Sequence, residues 1–147
     1  MSDKRTQLAS ELAAELPHFT GTAEYHRIDY PWLRNTPFLL TDGAKHLADK
    51  AGVIGGTAYW LIDILASYQR EKPVKDEPFQ VWKLTVKASE GKITCDDGNG
   101  CILASQDIPF VDFALDEATL YVSSDEYEVA PGSARGNGII VMLPSEY

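Results

Sequence analysis

The chain has 147 residues, 44% of them hydrophobic and 10% aromatic, enough apolar material for one domain with a buried core. Its net charge of −9 is unevenly placed: residues 1–88 carry 11 Lys and Arg against 11 Asp and Glu, whereas in 89–147 only Lys92 and Arg135 face eleven acids. That balance argues against direct nucleic-acid or acidic-membrane binding, and no run of roughly 18 apolar residues offers a membrane span. With a polar, amphipathic start that resembles no secretory leader, the expectation is one cytoplasmic domain over 1–147: an amino-terminal helix, a helical pair at 41–69 and an acidic, β-rich half at 79–147.

Ser2 or Asp3 can cap a first helix whose Leu8, Leu12 and Leu16, with Ala9 and Ala13, form one stripe that Pro17 closes. Residues 19–28 shift to Thr, Tyr and alternation, which predicts a strand, and 29–37 with two prolines predict a loop. Thr41 or Asp42 caps a second helix carrying Ala44, Leu47, Ala48 and Ala51, which stops at Gly52. A third helix spans 57–69; between Ala58 and Ala66 its only charged residue is Asp63, so Tyr59, Trp60, Leu61, Ile62, Ile64 and Leu65 are expected to be largely buried.

After a polar linker at 71–78 the pattern becomes β. Strands are expected at 79–87, 92–95, 101–104, 118–123 and 138–143, with a mobile glycine-rich loop at 132–138. The fold class predicted is α+β: a mostly antiparallel sheet of about five strands with three helices, helices grouped early and strands late. The segment 19–28 is left free to join that sheet as an edge.

Few residues carry a catalytic signature. Gly52, Gly55 and Gly56 lack the Lys-Ser/Thr of a phosphate loop and follow a helix, so they read as a helix-to-helix turn. Asp96, Asp97 and Asn99 with Gly98 and Gly100 miss the calcium-loop pattern and predict a hairpin turn instead. Cys95 and Cys101 bracket that turn; without histidines at ligand spacing they read as thiols, so neither a metal nor a cofactor is expected. His26 and His46 read as surface or structural histidines, and Ser133 lies in no nucleophile elbow. Asp63 is the unusual carboxylate, because within an apolar helix it needs an Arg, Lys or backbone partner.

The blocks Phe19-Thr20-Gly21-Thr22, Leu40-Thr41-Asp42-Gly43, the run from Ala58 to Gln69 that opens Ala-Tyr-Trp-Leu-Ile-Asp, Asp97-Gly98-Asn99 and Leu143-Pro144-Ser145-Glu146-Tyr147 resemble an uncharacterised family of small bacterial proteins, a domain of unknown function found on phages, plasmids and other mobile elements. The resemblance runs from Phe19 onward and implies no catalytic residues; residues 53–57 look inserted before Ala58.

Acidic mobile-element proteins of this size resemble, in kind, anti-CRISPR and anti-restriction inhibitors. A groove built with Lys and Arg for phosphate also accepts carboxylates fixed at similar spacing. The expected function is therefore a non-enzymatic inhibitor of a basic, nucleic-acid-handling host defence complex, with Asp96, Asp97, Asp107, Asp112, Asp116, Glu117, Asp125, Glu126 and Glu128 as the binding residues. Two alternatives stand beside it: a small enzyme with a pocket near Asp63, Asp42 and His46, or a dimeric accessory protein pairing through strand edges or through Tyr30, Trp32 and Tyr127.

Overall fold

A seven-stranded mixed sheet in the order β1-β2-β7-β6-β3-β4-β5 carries the fold of this computed structural model. The strands are β1 (His26–Ile28), β2 (Phe38–Leu40), β3 (Phe79–Lys87), β4 (Glu90–Asp96), β5 (Ile102–Ile108), β6 (Glu117–Glu128) and β7 (Arg135–Met142). The helices are α1 (Ser2–Glu15), α2 (Asp42–Lys50) and α3 (Tyr59–Tyr68). The structure describes residues 2–34, 36–53, 56–128 and 135–147, with the backbone alone at 2, 3, 126–128 and 135. Among the described residues no helix is long and apolar enough to cross a membrane.

This architecture corrects the expected fold class. There are seven strands instead of about five, β2 pairs with β7 in parallel, and β1 and β2 lie between α1 and α2, so the helices are not grouped ahead of the strands. The reason is local brevity. The two early strands have three residues each, too few to show alternation, and Phe38, Leu39 and Leu40 are all buried. β2 is ordered by a distant partner, with Phe38, Leu39 and Leu40 aligned with Ile139, Ile140 and Val141, and β1 is held in turn by β2. The strand expected over 19–28 shrinks to β1, and of the loop expected at 132–138 residues 135–138 belong to β7, the remainder lying outside the described residues.

All three helices cover one face. Leu12 of α1, Ala44, Leu47 and Ala48 of α2, and Leu61, Ile62, Leu65 and Ala66 of α3 pack in one cluster with Trp82, Leu84, Ile93, Cys95, Leu120, Val122 and Val141. Within α3, however, Tyr59, Trp60 and Ile64 are only partly buried and Asp63 is exposed. The helix is thus two-sided, and the fully buried tryptophan of the core is Trp82.

The start of α2 is fixed by side chains. Thr41 Oγ1 accepts from the Ala44 N–H at 3.3 Å, the usual N-cap bond, and donates to Glu146 Oε1 at 2.6 Å. Glu146 also accepts from the N–H groups of Gly43 and Leu143, both at 3.0 Å. A Cβ at position 43 would lie 2.5 Å from Glu146 Oε1, so only glycine lets this carboxylate close over the helix end.

Candidate functional site

Among the described residues no helix packs on the opposite face of the sheet, although toward its β1 edge Leu39 of β2 and Ile140 of β7 are buried there in a small cluster with Met142. Along β3, Gln80, Trp82, Leu84 and Val86 point to the helices while Phe79, Val81, Lys83, Thr85 and Lys87 point away. The sequence hid this phase, because Phe79 and Val81 pair naturally with Leu84 and Val86 in a hydrophobicity count and the buried inward position is a glutamine. The available signal was Trp82, out of step with Phe79 and Val81 and in step with Leu84 and Val86.

Register then assembles the uncovered face. Met142, Tyr121, Val81, Asp96 and Ile102 stand side by side across β7, β6, β3, β4 and β5. A register shift between Cys95 and Asp96 brings Ile102 opposite Asp96, where it is 59% exposed. In the next row Phe79 faces Ser123. The rings of Phe79, Tyr121 and Tyr147 meet edge-on at centroid separations of 5.1–5.6 Å, and Tyr147 is 76% exposed. Each pairwise angle is in the T-shaped range that aromatic quadrupoles favour.

The acidic residues distribute over several places. Asp96 and Asp97 sit at the β4–β5 hairpin, where Asp96 accepts from the Gly98 N–H at 2.7 Å and Asp97 from Asn99 and Cys101 at 2.8 and 3.2 Å. Gly98 and Gly100 there have φ of 87° and 89°, so the hairpin turn predicted from Asp-Gly-Asn-Gly is the one formed. Asp107 and Glu117 lie in β5 and β6 at the far end of the uncovered face, in the row that also holds Lys92 and Thr85. Asp125 is exposed on β6, one alternate position beyond Ser123. Glu126 and Glu128 lie on the described backbone of β6, their side chains outside the described residues.

Two of the acids sit elsewhere, in the connection between β5 and β6. Asp112 accepts from the Val53 N–H at 2.9 Å, and Asp116 pairs with Arg5 of α1 at 2.9 Å, an exposed pair of small energetic worth. The uncovered face therefore gathers Asp96, Asp107, Glu117 and Asp125, interleaved at one end with Lys83, Lys87 and Lys92 and at the other with the aromatic trio.

The residues of the enzyme alternative do not converge on one another. Asp63 accepts from the Tyr30 hydroxyl at 2.6 Å, in place of the Arg, Lys or backbone partner expected, and burial with this carboxylate pushes the Tyr30 hydroxyl well above its ordinary range. His46 lies 3.4 Å from Glu15 Oε1, with its ring 5.1 Å from Phe19. Asp42 instead meets His26, Nε2 to Oδ1 at 2.8 Å, while its Oδ2 accepts from the Ala23 N–H at 2.9 Å. These backbone and imidazole bonds hold the Asp42 carboxyl below the usual carboxylate range. Sequence reasoning had no signal for that pairing, since 16 positions separate the two and only the β1–α2 geometry joins them. Among the described residues Glu24, His26 and Asp42 are the group whose ligand atoms are close enough to share a metal ion.

Both cysteines are free thiols. Cys95 is buried on the helix side of β4 and Cys101 is exposed in the turn. Burial, with Asp96 and Glu77 nearby, pushes the Cys95 thiol up to about 12, which disfavours the reactive thiolate at neutral pH.

No curated protein matches this sequence. Among solved structures, the crystal structure of a protein of unknown function from Enterococcus faecalis is similar, with a TM-score of 0.50 and 13% identity over 82% of this chain and 98% of that one. At that identity the likeness speaks for the fold alone. A family profile described as a family of unknown function, DUF6876, matches residues 10–147, nearly the whole sequence, and the chain belongs to that family.

Proposed function

We propose that this protein is a non-enzymatic binding module whose uncovered sheet face docks a basic, nucleic-acid-handling protein. The observation that carries this reading is the row Met142–Tyr121–Val81–Asp96–Ile102, with Phe79 and Tyr147 packed beside it. Aromatic and aliphatic anchors at the centre of a patch supply most of the energy of an interface, and charges at its rim set the encounter rate and the choice of partner. A net charge of −9, with Asp96 and Asp125 bordering the anchors, favours a partner rich in Lys and Arg.

The finer form of the proposal is inhibition of a host defence complex, of the anti-CRISPR or anti-restriction type, by a protein of mobile-element origin. Its support is the resemblance in kind between this chain and small acidic inhibitors of that sort, together with an acidic charge that would compete for a phosphate-binding groove.

Affinity capture from the native host, followed by variant binding to whatever protein is captured, tests the reading. Expected is a basic protein whose association slows in salt, because exposed charges are screened beyond about 8 Å at physiological ionic strength. Tyr147→Ala should speed dissociation, and Asp96→Lys with Asp125→Lys should slow association. Reversal of Asp3, Glu11 and Glu15 on α1 serves as the control for net charge. Equal effects from both sets of reversals would reduce the acidic face to a general charge effect, and no effect from the sheet-face variants would overturn the proposal. For the finer form, expression in a host with an active CRISPR or restriction system should raise phage plating, and unchanged plating in both would discard it.

A further inference from the structure

We propose that Glu24, His26 and Asp42 form a binding site for one divalent ion of the zinc class, which clips the edge strand β1 to the start of α2. Each residue comes from a different segment: Glu24 from the turn before β1, His26 from β1 and Asp42 from the first turn of α2. One ligand atom from each lies within 4.8 Å of the others.

The geometry suits an ion with little movement. His26 Nε2 and Asp42 Oδ1 are 2.8 Å apart, whereas two ligands of a tetrahedral ion with bonds of about 2.0 Å stand roughly 3.3 Å apart. The imidazole has only to exchange its proton shared with Asp42 for the ion, and the pair opens by about half an ångström. One imidazole with two carboxylates, and no thiolate, is a donor set for zinc and its first-row neighbours and not for a thiol-seeking ion. Neutral His26 with two carboxylates balances the dication, and those carboxylates also offset the positive end of the α2 dipole.

Outer contacts orient the ligands. Asp42 Oδ2 is held by the Ala23 N–H, leaving Oδ1 toward His26, and the Asp42 N–H donates to Thr22 Oγ1 at 2.9 Å. Thr22 in turn donates to the Glu24 carbonyl. Such second contacts fix ligand rotamers in metal sites.

A clip here has a physical purpose. β1 is three residues long, lies at the sheet edge and, among the described residues, pairs with the equally short β2 alone. Closing the 22–42 segment by an ion that binds the folded state alone adds stability that this short ladder lacks.

The test uses the full chain stripped with chelator and titrated with zinc chloride by calorimetry, with cobalt chloride as an absorbing substitute. One ion per chain is expected, with a raised melting temperature and a zinc-dependent shift of the His26 ring nitrogen in nitrogen-edited spectra. Glu24→Gln, on an exposed side chain, should keep the fold and weaken binding at least about tenfold, and His26→Ala should abolish it. His46→Ala and Cys101→Ser should bind like the parent. Absence of one-to-one binding, or retention of parental affinity in Glu24→Gln and His26→Ala, or loss of binding in His46→Ala or Cys101→Ser, would overturn the proposal.

Discussion

Gln69, following α3, and Gln80 of β3 exchange both amide hydrogen bonds across the helix–sheet interface, at 2.8 and 3.0 Å. Both are buried, and Gln80 Oε1 also accepts from the Trp82 indole N–H at 2.9 Å. Its Nε2 lies 3.1 Å from the carbonyls of Val74 and Glu77, so one side chain ties α3, the 3-10 turn at Val74–Asp76 and the central strand together. Replacing Gln80 by Leu keeps the volume and orphans these groups. The expected loss is about 1–3 kcal/mol, the cost of buried polar atoms left unpaired. Urea denaturation at neutral pH measures it, and a loss under about 0.5 kcal/mol would show that the pair is dispensable.

The turn between β3 and β4 predicts a gain. Lys87 pairs with Glu90, and the two residues between them, Ala88 and Ser89, have φ of 52° and 66°. Both thus occupy the left-handed region, as a two-residue hairpin turn of the mirror-image type requires, although neither residue favours it. Each non-glycine residue there costs roughly 1 kcal/mol. Ala88→Asn with Ser89→Gly should raise stability by about 1 kcal/mol, seen as a higher urea midpoint with an unchanged slope.

Thiol chemistry separates the two cysteines. A disulfide reagent added to the native protein at about pH 8 should modify Cys101 at once and spare Cys95, whose thiol is pushed up to about 12 by burial and then by Asp96 and Glu77. One equivalent of label is expected, and a second only after unfolding. Two rapid equivalents would mean that β4 opens readily.

Asp42 sets part of the acid sensitivity. Its folded carboxyl titrates below the ordinary value of about 3.9, first through the Ala23 N–H and then through His26. The stability it contributes is full above that unfolded value and is lost as pH falls through the lower folded one. Asp42→Asn should therefore be less stable than the parent near neutral pH, with the deficit shrinking below about pH 4. A constant difference in melting temperature across that range would assign the loss to other causes.

Much of the chain was legible without coordinates wherever local chemistry repeats along an element. The Leu8–Leu12–Leu16 stripe, the Thr41 cap of α2, the span of β3 and the Asp-Gly-Asn-Gly hairpin depend on neighbours three or four residues away or on backbone conformation, which sequence states directly. The strand β2 did not show itself, because three residues display no period and its order comes from β7, about a hundred positions on, while β1 was legible only as the end of the longer strand expected over 19–28.

The candidate site divides the same way. Sequence alone determined that the second half is acidic and apolar at once. Only tertiary structure decided which of those acids share a face, for side-chain direction in a strand follows pairing register, and a shift of one position moves a residue to the other side of the sheet. Register placed Asp96 between Val81 and Ile102 and turned Phe79 away from the core, while the path of the β5–β6 connection took Asp112 to Val53 and Asp116 to Arg5. The joining of His26 to Asp42 likewise follows from the docking of β1 beside α2, a contact between segments that no local pattern encodes.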